Sequence, residues 1–253
     1  MIFDSHAHYD DSQFDQDRDS LLTQLLPSKG VVGILNAASS PESISQVVSL
    51  TKKYPMVYGA AGIHPECAGQ LPPDWLSLVS RALAQEKMVA VGEIGLDYHY
   101  EDLCPRERQK EVFQAQLNLA REKNLPVLIH DREAHGDTLA ILEKYRPQGM
   151  VHCFSGSVEM AREILKLGMY LGIGGVVTFK NARHIVQVAA EIPLDRLLLE
   201  TDCPYLAPVP MRGKRNDSSL IAYSAARIAE IRGITAQEVL SASRENVRRL
   251  FGI

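Results

Sequence analysis

Short apolar runs alternate along this chain with longer segments whose apolar residues recur every three or four positions. The runs at 31–35, 57–63, 88–93, 127–130, 150–154, 170–173 and 197–200, together with the opening Ile2-Phe3, are short and almost uniformly apolar, as strands covered on both faces are. Between them the helical period predicts helices over 18–26, 41–53, 73–85, 105–123, 138–145, 158–167 and 182–190, and two more over 219–231 and 235–250 close the chain. The punctuation agrees with the period. Pro27 and Gly30 end the first helix, Ser40 caps the second with Pro41 at its first position, Gly168 follows the sixth, and Thr235 with Glu238 forms a capping box for the last.

Eight such alternations in 253 residues fit an α/β fold of the closed (β/α)8 TIM barrel type, with additional C-terminal helices. An open doubly wound sheet fits less well, because it would normally bring a glycine-rich phosphate loop after its first strand, and none stands there. No linker rich in Pro, Gly or Ser divides the chain, so one barrel domain over 1–253 is expected.

Composition narrows the function classes. With 27 basic and 31 acidic residues the net charge is -4, so a general coat of positive charge is not how this protein holds nucleic acid, and any phosphate recognition must be local. No apolar run approaches the roughly 20 residues that span a bilayer, and Met1 leads straight into a strand without a basic and apolar leader; a cytoplasmic protein with no membrane partner is expected. Cys67, Cys104, Cys153 and Cys203 are scattered, which suits reduced thiols rather than a disulfide frame or a thiolate zinc site.

In a barrel of this kind the chemistry sits at the carboxyl ends of the strands, where the strand-to-helix loops converge. Those ends carry His6 and His8 on the first strand, His64 on the third, Glu93 on the fourth, His130 on the fifth, His152 on the sixth and Asp202 just after the eighth. His6 and His8 reach one point only in an extended strand, where side chains two apart share a side; on a helix they would lie about 200° apart. One histidine at a strand end is ordinarily hydrogen-bonded core. Five of the eight histidines on one rim, with two carboxylates and no thiolate, form a nitrogen and oxygen donor set suited to Zn, Mn, Co or Mg. Six ligands exceed one tetrahedral ion and suit two ions sharing a carboxylate and a solvent oxygen, about 3.5–4 Å apart, which lower the pKa of bound water from about 15.7 toward roughly 7. The chemistry implied is hydrolysis by a two-metal-activated hydroxide.

The segments IFDSHAHYD (2–10), GIHP (62–65), GEIGLDY (92–98), PVLIHDREAHGDTL (126–139), HCFSGS (152–157), IPLDRLLLETDCPYLAP (192–208) and RGKRN (212–216) together resemble, in order and spacing, the TatD family of metal-dependent deoxyribonucleases. The resemblance implies a barrel holding two divalent ions, Mg, Mn or Zn, with His6, His8, Glu93, His130, His152 and Asp202 as ligands and Glu93 as the bridge. It also implies hydrolysis of DNA, with 3′ to 5′ exonuclease action on single strands. One departure is visible: RGKRN continues with Asp217-Ser218 where the family commonly has Glu-Pro.

On this reading Glu93 and Asp202 are the catalytic carboxylates, and Asp202 is the group expected to accept the proton from water. His64, surplus to a six-ligand count, is assigned to the substrate phosphate, and Arg212 and Arg215, in a basic cluster with Lys214, to the DNA backbone. Asp4 is expected to support the site from below. His135 and Asp137 are expected to fix a loop, while Tyr98 and Phe154 are aromatic residues that either stack on bases or lie buried. A monomer is favoured. Two alternatives remain: another hydrolase of the same barrel type (lactonase, phosphotriesterase or cyclic amidohydrolase), and a non-catalytic metal-dependent nucleic-acid-binding protein. Such hydrolases often bridge their metals with a carbamylated lysine at the end of the fourth strand; Glu93 stands there, and Lys87 precedes the strand.

Overall fold

A computed structural model describes residues 1–99 and 102–253. Its eight strands are β1 (Ile2–Ala7), β2 (Val31–Ala37), β3 (Val57–Ala61), β4 (Met88–Asp97), β5 (Val127–Arg132), β6 (Gly149–Val151), β7 (Tyr170–Ile173) and β8 (Leu197–Leu199). Each pairs in parallel with the next, in chain order. The ring is nearly closed where the end of β1 meets the segment after β8. There Ala7 bridges Cys203, the Asp202 amide donates to the His6 carbonyl at 3.0 Å, and the His8 amide donates to the Cys203 carbonyl at 2.8 Å. The architecture is the (β/α)8 TIM barrel expected from the periodicity.

The helices that return each strand to the next are α3 (Pro41–Lys53), α4 (Trp75–Ala82), α5 (Arg106–Lys123), α6 (His135–Tyr145), α7 (Val158–Lys166) and α8 (Arg183–Glu191), preceded by the short α1 (Arg18–Ser20) and α2 (Leu26–Ser28). α9 (Ile221–Arg232) and α10 (Ala236–Phe251) follow β8, and the Thr235–Glu238 capping box opens α10. α3 illustrates the outer layer: Ile44, Val47 and Leu50 share one face and are buried, each contributing roughly 1.5–3 kcal/mol. Strand side chains of opposite parity, among them Leu35, Ala60, Leu128, Met150 and Leu198, form a second cluster with Val247 and Phe251 of α10.

Two elements differ from expectation. The first helical stretch does not stop at Pro27 but runs through it, with a π-helical turn (Leu21–Leu25) between α1 and α2, because proline is tolerated in the first turn of α2. More consequentially, β4 continues four residues past Glu93 to Asp97, in register with β5 through Ile94–Ile129, Gly95–His130, Leu96–Asp131 and Asp97–Arg132. Gly95 makes this pairing possible. Its φ is +149°, and a Cβ there would fall 1.9 Å from the His130 carbonyl oxygen. Among the described residues no helix is long and apolar enough to cross a membrane.

Candidate metal centre

The carboxyl rim gathers the other five expected side chains around Glu93. Strand β1 delivers His6, and His8 follows just past its end; their rings stand nearly perpendicular, with Nε2 atoms 3.1 Å apart. His8 donates from Nδ1 to the Ala37 carbonyl at 2.9 Å, which turns its Nε2 inward. His152 lies stacked on His6 with ring centroids 3.9 Å apart, and His130 reaches across from β5 to bring Nδ1 within 3.2 Å of His152 Nε2.

Glu93 divides its two oxygens between these pairs. Oε2 lies 3.4 Å from His6 Nε2 and 3.5 Å from His8 Nε2, while Oε1 lies 2.8 Å from His130 Nδ1 and 2.7 Å from His152 Nε2. Asp202 adds Oδ1 at 3.2 Å from His8 Nε2 and 3.7 Å from His6 Nε2. His6, His8 and Glu93 form one compact trio and Glu93, His130 and His152 another, and Asp202 joins His6 and His152. Imidazole nitrogens and carboxylate oxygens converging this closely, with no thiolate among them, are the donors that divalent ions take, so the donor set fits such ions.

Burial and charge set the protonation of the site without metal. Desolvation pushes His6 down to about 4 and His64 to about 3. For His8 and His130 burial is overridden, by the Asp202 bond to His8 and by the Asp97 and Glu93 bonds to His130, and both are held up to about 10. Glu93 is buried and Asp202 largely so, yet the imidazoles around them hold both below the usual carboxylate range. His64 accepts the Glu66 amide at Nδ1, so its neutral ring carries the proton on Nε2, 3.6 Å from Glu93 Oε1 and facing the cavity.

Three contributors are not singled out by local spacing. Asp97, at the new end of β4, accepts the His130 Nε2–H at 3.0 Å through Oδ2 and the His99 amide at 3.0 Å through Oδ1; it orients His130 so that Nδ1 faces Glu93. Arg132, beside it in register, lines the cavity of about 490 Å³ above the rim and is its basic side chain other than histidine among the described lining residues. Glu200 is buried, with Oε1 accepting the Cys153 amide and Oε2 without a partner among the described residues; burial pushes its carboxyl well up. A signal for Asp97 exists in GEIGLDY, but only the β4–β5 register shows what it faces.

The remaining candidates lie around this centre. Asp4 sits beneath it, accepting the Thr201 amide and hydroxyl at 3.0 and 2.6 Å and the Ser218 hydroxyl at 2.7 Å, which anchors the loop bearing Asp202. His135 and Thr138 bond Asp131, and Asp137 binds Lys110 and the Tyr98 hydroxyl, so these groups tie down the loop after β5. Phe154 is buried. Arg212 and Arg215 do not line the cavity. Arg212 lies over the Phe179 ring, and Arg215, expected on the substrate, is paired with both carboxylate oxygens of Asp17 at 2.8 and 2.6 Å.

The family model described as TatD related DNase matches residues 3–252. The chain belongs to the TatD family. It is 43% identical over 256 residues to the uncharacterized metal-dependent hydrolase YabD of Bacillus subtilis, each chain covered in full. It is 35% identical to the 3′-5′ ssDNA/RNA exonuclease TatD of Citrobacter koseri, covering all of this chain and 99% of that protein. The crystal structure of the TatD homologue YjjV from Escherichia coli K12 superposes with a TM-score of 0.93 at 34% identity, covering 100% and 98% of the two chains. As a TatD-family protein the chain is a metal-dependent hydrolase acting on ester bonds.

Proposed function

We propose that the protein is a deoxyribonuclease that holds two divalent ions and removes nucleotides from single-stranded DNA in the 3′ to 5′ direction. The observation that carries the reading is Glu93, which offers one oxygen to the His6–His8 pair and the other to the His130–His152 pair. The polarity and strand preference rest on the relatives whose names state them. Mg, Mn or Zn bound by the six residues would supply an acidified water and polarise the phosphoryl oxygen.

The protein's own groups do the rest. Asp202, ionised at neutral pH, takes the proton of the attacking water at a carboxylate oxygen. The His64 Nε2–H donates to a non-bridging phosphoryl oxygen, and because burial keeps this ring neutral it is a hydrogen-bond donor rather than a competing cation. Arg132 holds the neighbouring phosphate at the mouth of the cavity. Arg212 lies farther out, where it meets the backbone of a longer strand; Asp17 occupies Arg215. Four unpaired cysteines suit a reducing compartment, and we assign the protein to the cytoplasm.

The test is to strip the metals, restore Mg, Mn or Zn separately, and assay labelled single-stranded DNA beside a lactone and a phosphotriester. DNA should be degraded from its 3′ end with at least one ion. Intact DNA under all three, with turnover of either small substrate, would falsify the nuclease reading. Asp202→Asn should lower kcat about 10²- to 10⁴-fold, the range for loss of a general base, and full turnover with metals retained would remove Asp202 from that role.

A further inference from the structure

On the rim of the cavity stands an aromatic ring that none of the steps above uses. Tyr205 follows Asp202 by three residues, lines the cavity and leaves half of its surface exposed. Its position is fixed from several sides. The chain turns sharply at Asp202 and Leu206, both in the left-handed region with φ of 58° and 53°. The Tyr205 amide donates to the Asp202 carbonyl at 3.0 Å, and its own carbonyl accepts the buried Asn216 side-chain amide at 2.7 Å. At the far end the hydroxyl donates to Asp11 Oδ2 at 2.7 Å. A large apolar surface pinned at both ends beside a phosphodiester site has lost its conformational entropy before any ligand arrives. Leu206 and Val209, also exposed, add apolar surface on the same loop.

We propose that Tyr205 is a stacking platform for the nucleobase of a nucleotide adjoining the scissile phosphate; this rests on the nuclease reading and names what that site recognises beyond phosphate. Every base has a π-face, so such a contact selects for an unstacked base without selecting its sequence. A single strand offers that face and a base-paired duplex hides it. The platform therefore supplies a physical basis for single-strand preference on a protein whose net charge is -4. Tyr98 and Phe154 do not compete for the role: the Tyr98 hydroxyl is bonded to Asp137 and both rings are buried.

The experiment compares the metal-loaded parent with Tyr205→Ala, Tyr205→Leu and Tyr205→Phe on two chains of equal length. One is single-stranded DNA; the other is a phosphodiester chain built wholly of abasic residues, used as substrate and as competitor of DNA cleavage. Tyr205→Ala should raise KM for DNA about tenfold with kcat little changed, while its Ki for the abasic chain stays that of the parent. Tyr205→Phe, which keeps the ring and loses the Asp11 bond, should stay within about twofold of the parent, and Tyr205→Leu should fall near the alanine variant. Equal losses on both chains, or recovery by leucine as complete as by phenylalanine, would show a loop-shaping role and overturn the platform. DNA cleavage unaffected by Tyr205→Ala would overturn it alone; a parent that degrades no nucleic acid with any ion would remove the nuclease reading and the platform with it.

Discussion

At the scale of single residues, the distribution of protons decides what the rim can do. His8 and His130 each have one nitrogen committed outward, to the Ala37 carbonyl and to Asp97, so the inward nitrogen is the one a cation would take. Asp97 is the stronger of these supports because it is a carboxylate and nearly fully buried. Asp97→Asn should leave the fold intact by circular dichroism and lower metal affinity about 10- to 100-fold in chelator competition, since the ring loses its charged acceptor. Unchanged affinity would show that packing alone orients His130. The six rim residues are legible from their places after apolar runs, whereas Asp97 and Arg132 acquire meaning only from a cross-strand neighbour.

At the scale of elements, β4 carries the centre. Ending the strand at Glu93 is what the pattern of residue types suggests, because two glycines bracket Glu93 and Ile94 and weaken the strand signal. Continuous pairing with β5 overrides that signal, and it needs Gly95 bare, since any Cβ would strike the His130 carbonyl. Gly95→Ala should therefore displace the very strand that holds His130. A loss of about 2–4 kcal/mol in urea unfolding is expected, from strain at positive φ plus the forced separation, together with a drop in bound metal. A variant of parental stability would mean that the two strands part at no cost. The loop after β8 is a second such element. Asn216, within the basic RGKRN segment, is buried and donates to the Thr201 and Tyr205 carbonyls, so one asparagine shapes the turn between Asp202 and Tyr205.

At the scale of the whole molecule, metal, protons and stability are linked. A metal takes a neutral imidazole nitrogen, but without metal His8 and His130 hold protons up to about pH 10, so loading the site must expel them. The sign follows: apparent metal affinity should rise with pH through the neutral range, by up to tenfold per unit for each proton displaced, and metal addition to weakly buffered apoprotein should acidify the solution. Metal uptake without proton release would contradict this. The periodicity by itself determined the eight strands, their helical returns and the side of the sheet on which histidines and carboxylates end, because alternation and capping are local properties of the chain. It did not determine the length of β4, the pairing of His130 with Asp97, the capture of Arg215 by Asp17 or the exposed ring of Tyr205. Each of those depends on segments apart in the chain: Arg215 meets Asp17 across 198 positions, and Tyr205 meets Asp11 across 194. Only closure of the barrel brings such partners within hydrogen-bonding distance, and no local pattern of residue types encodes a contact of that range.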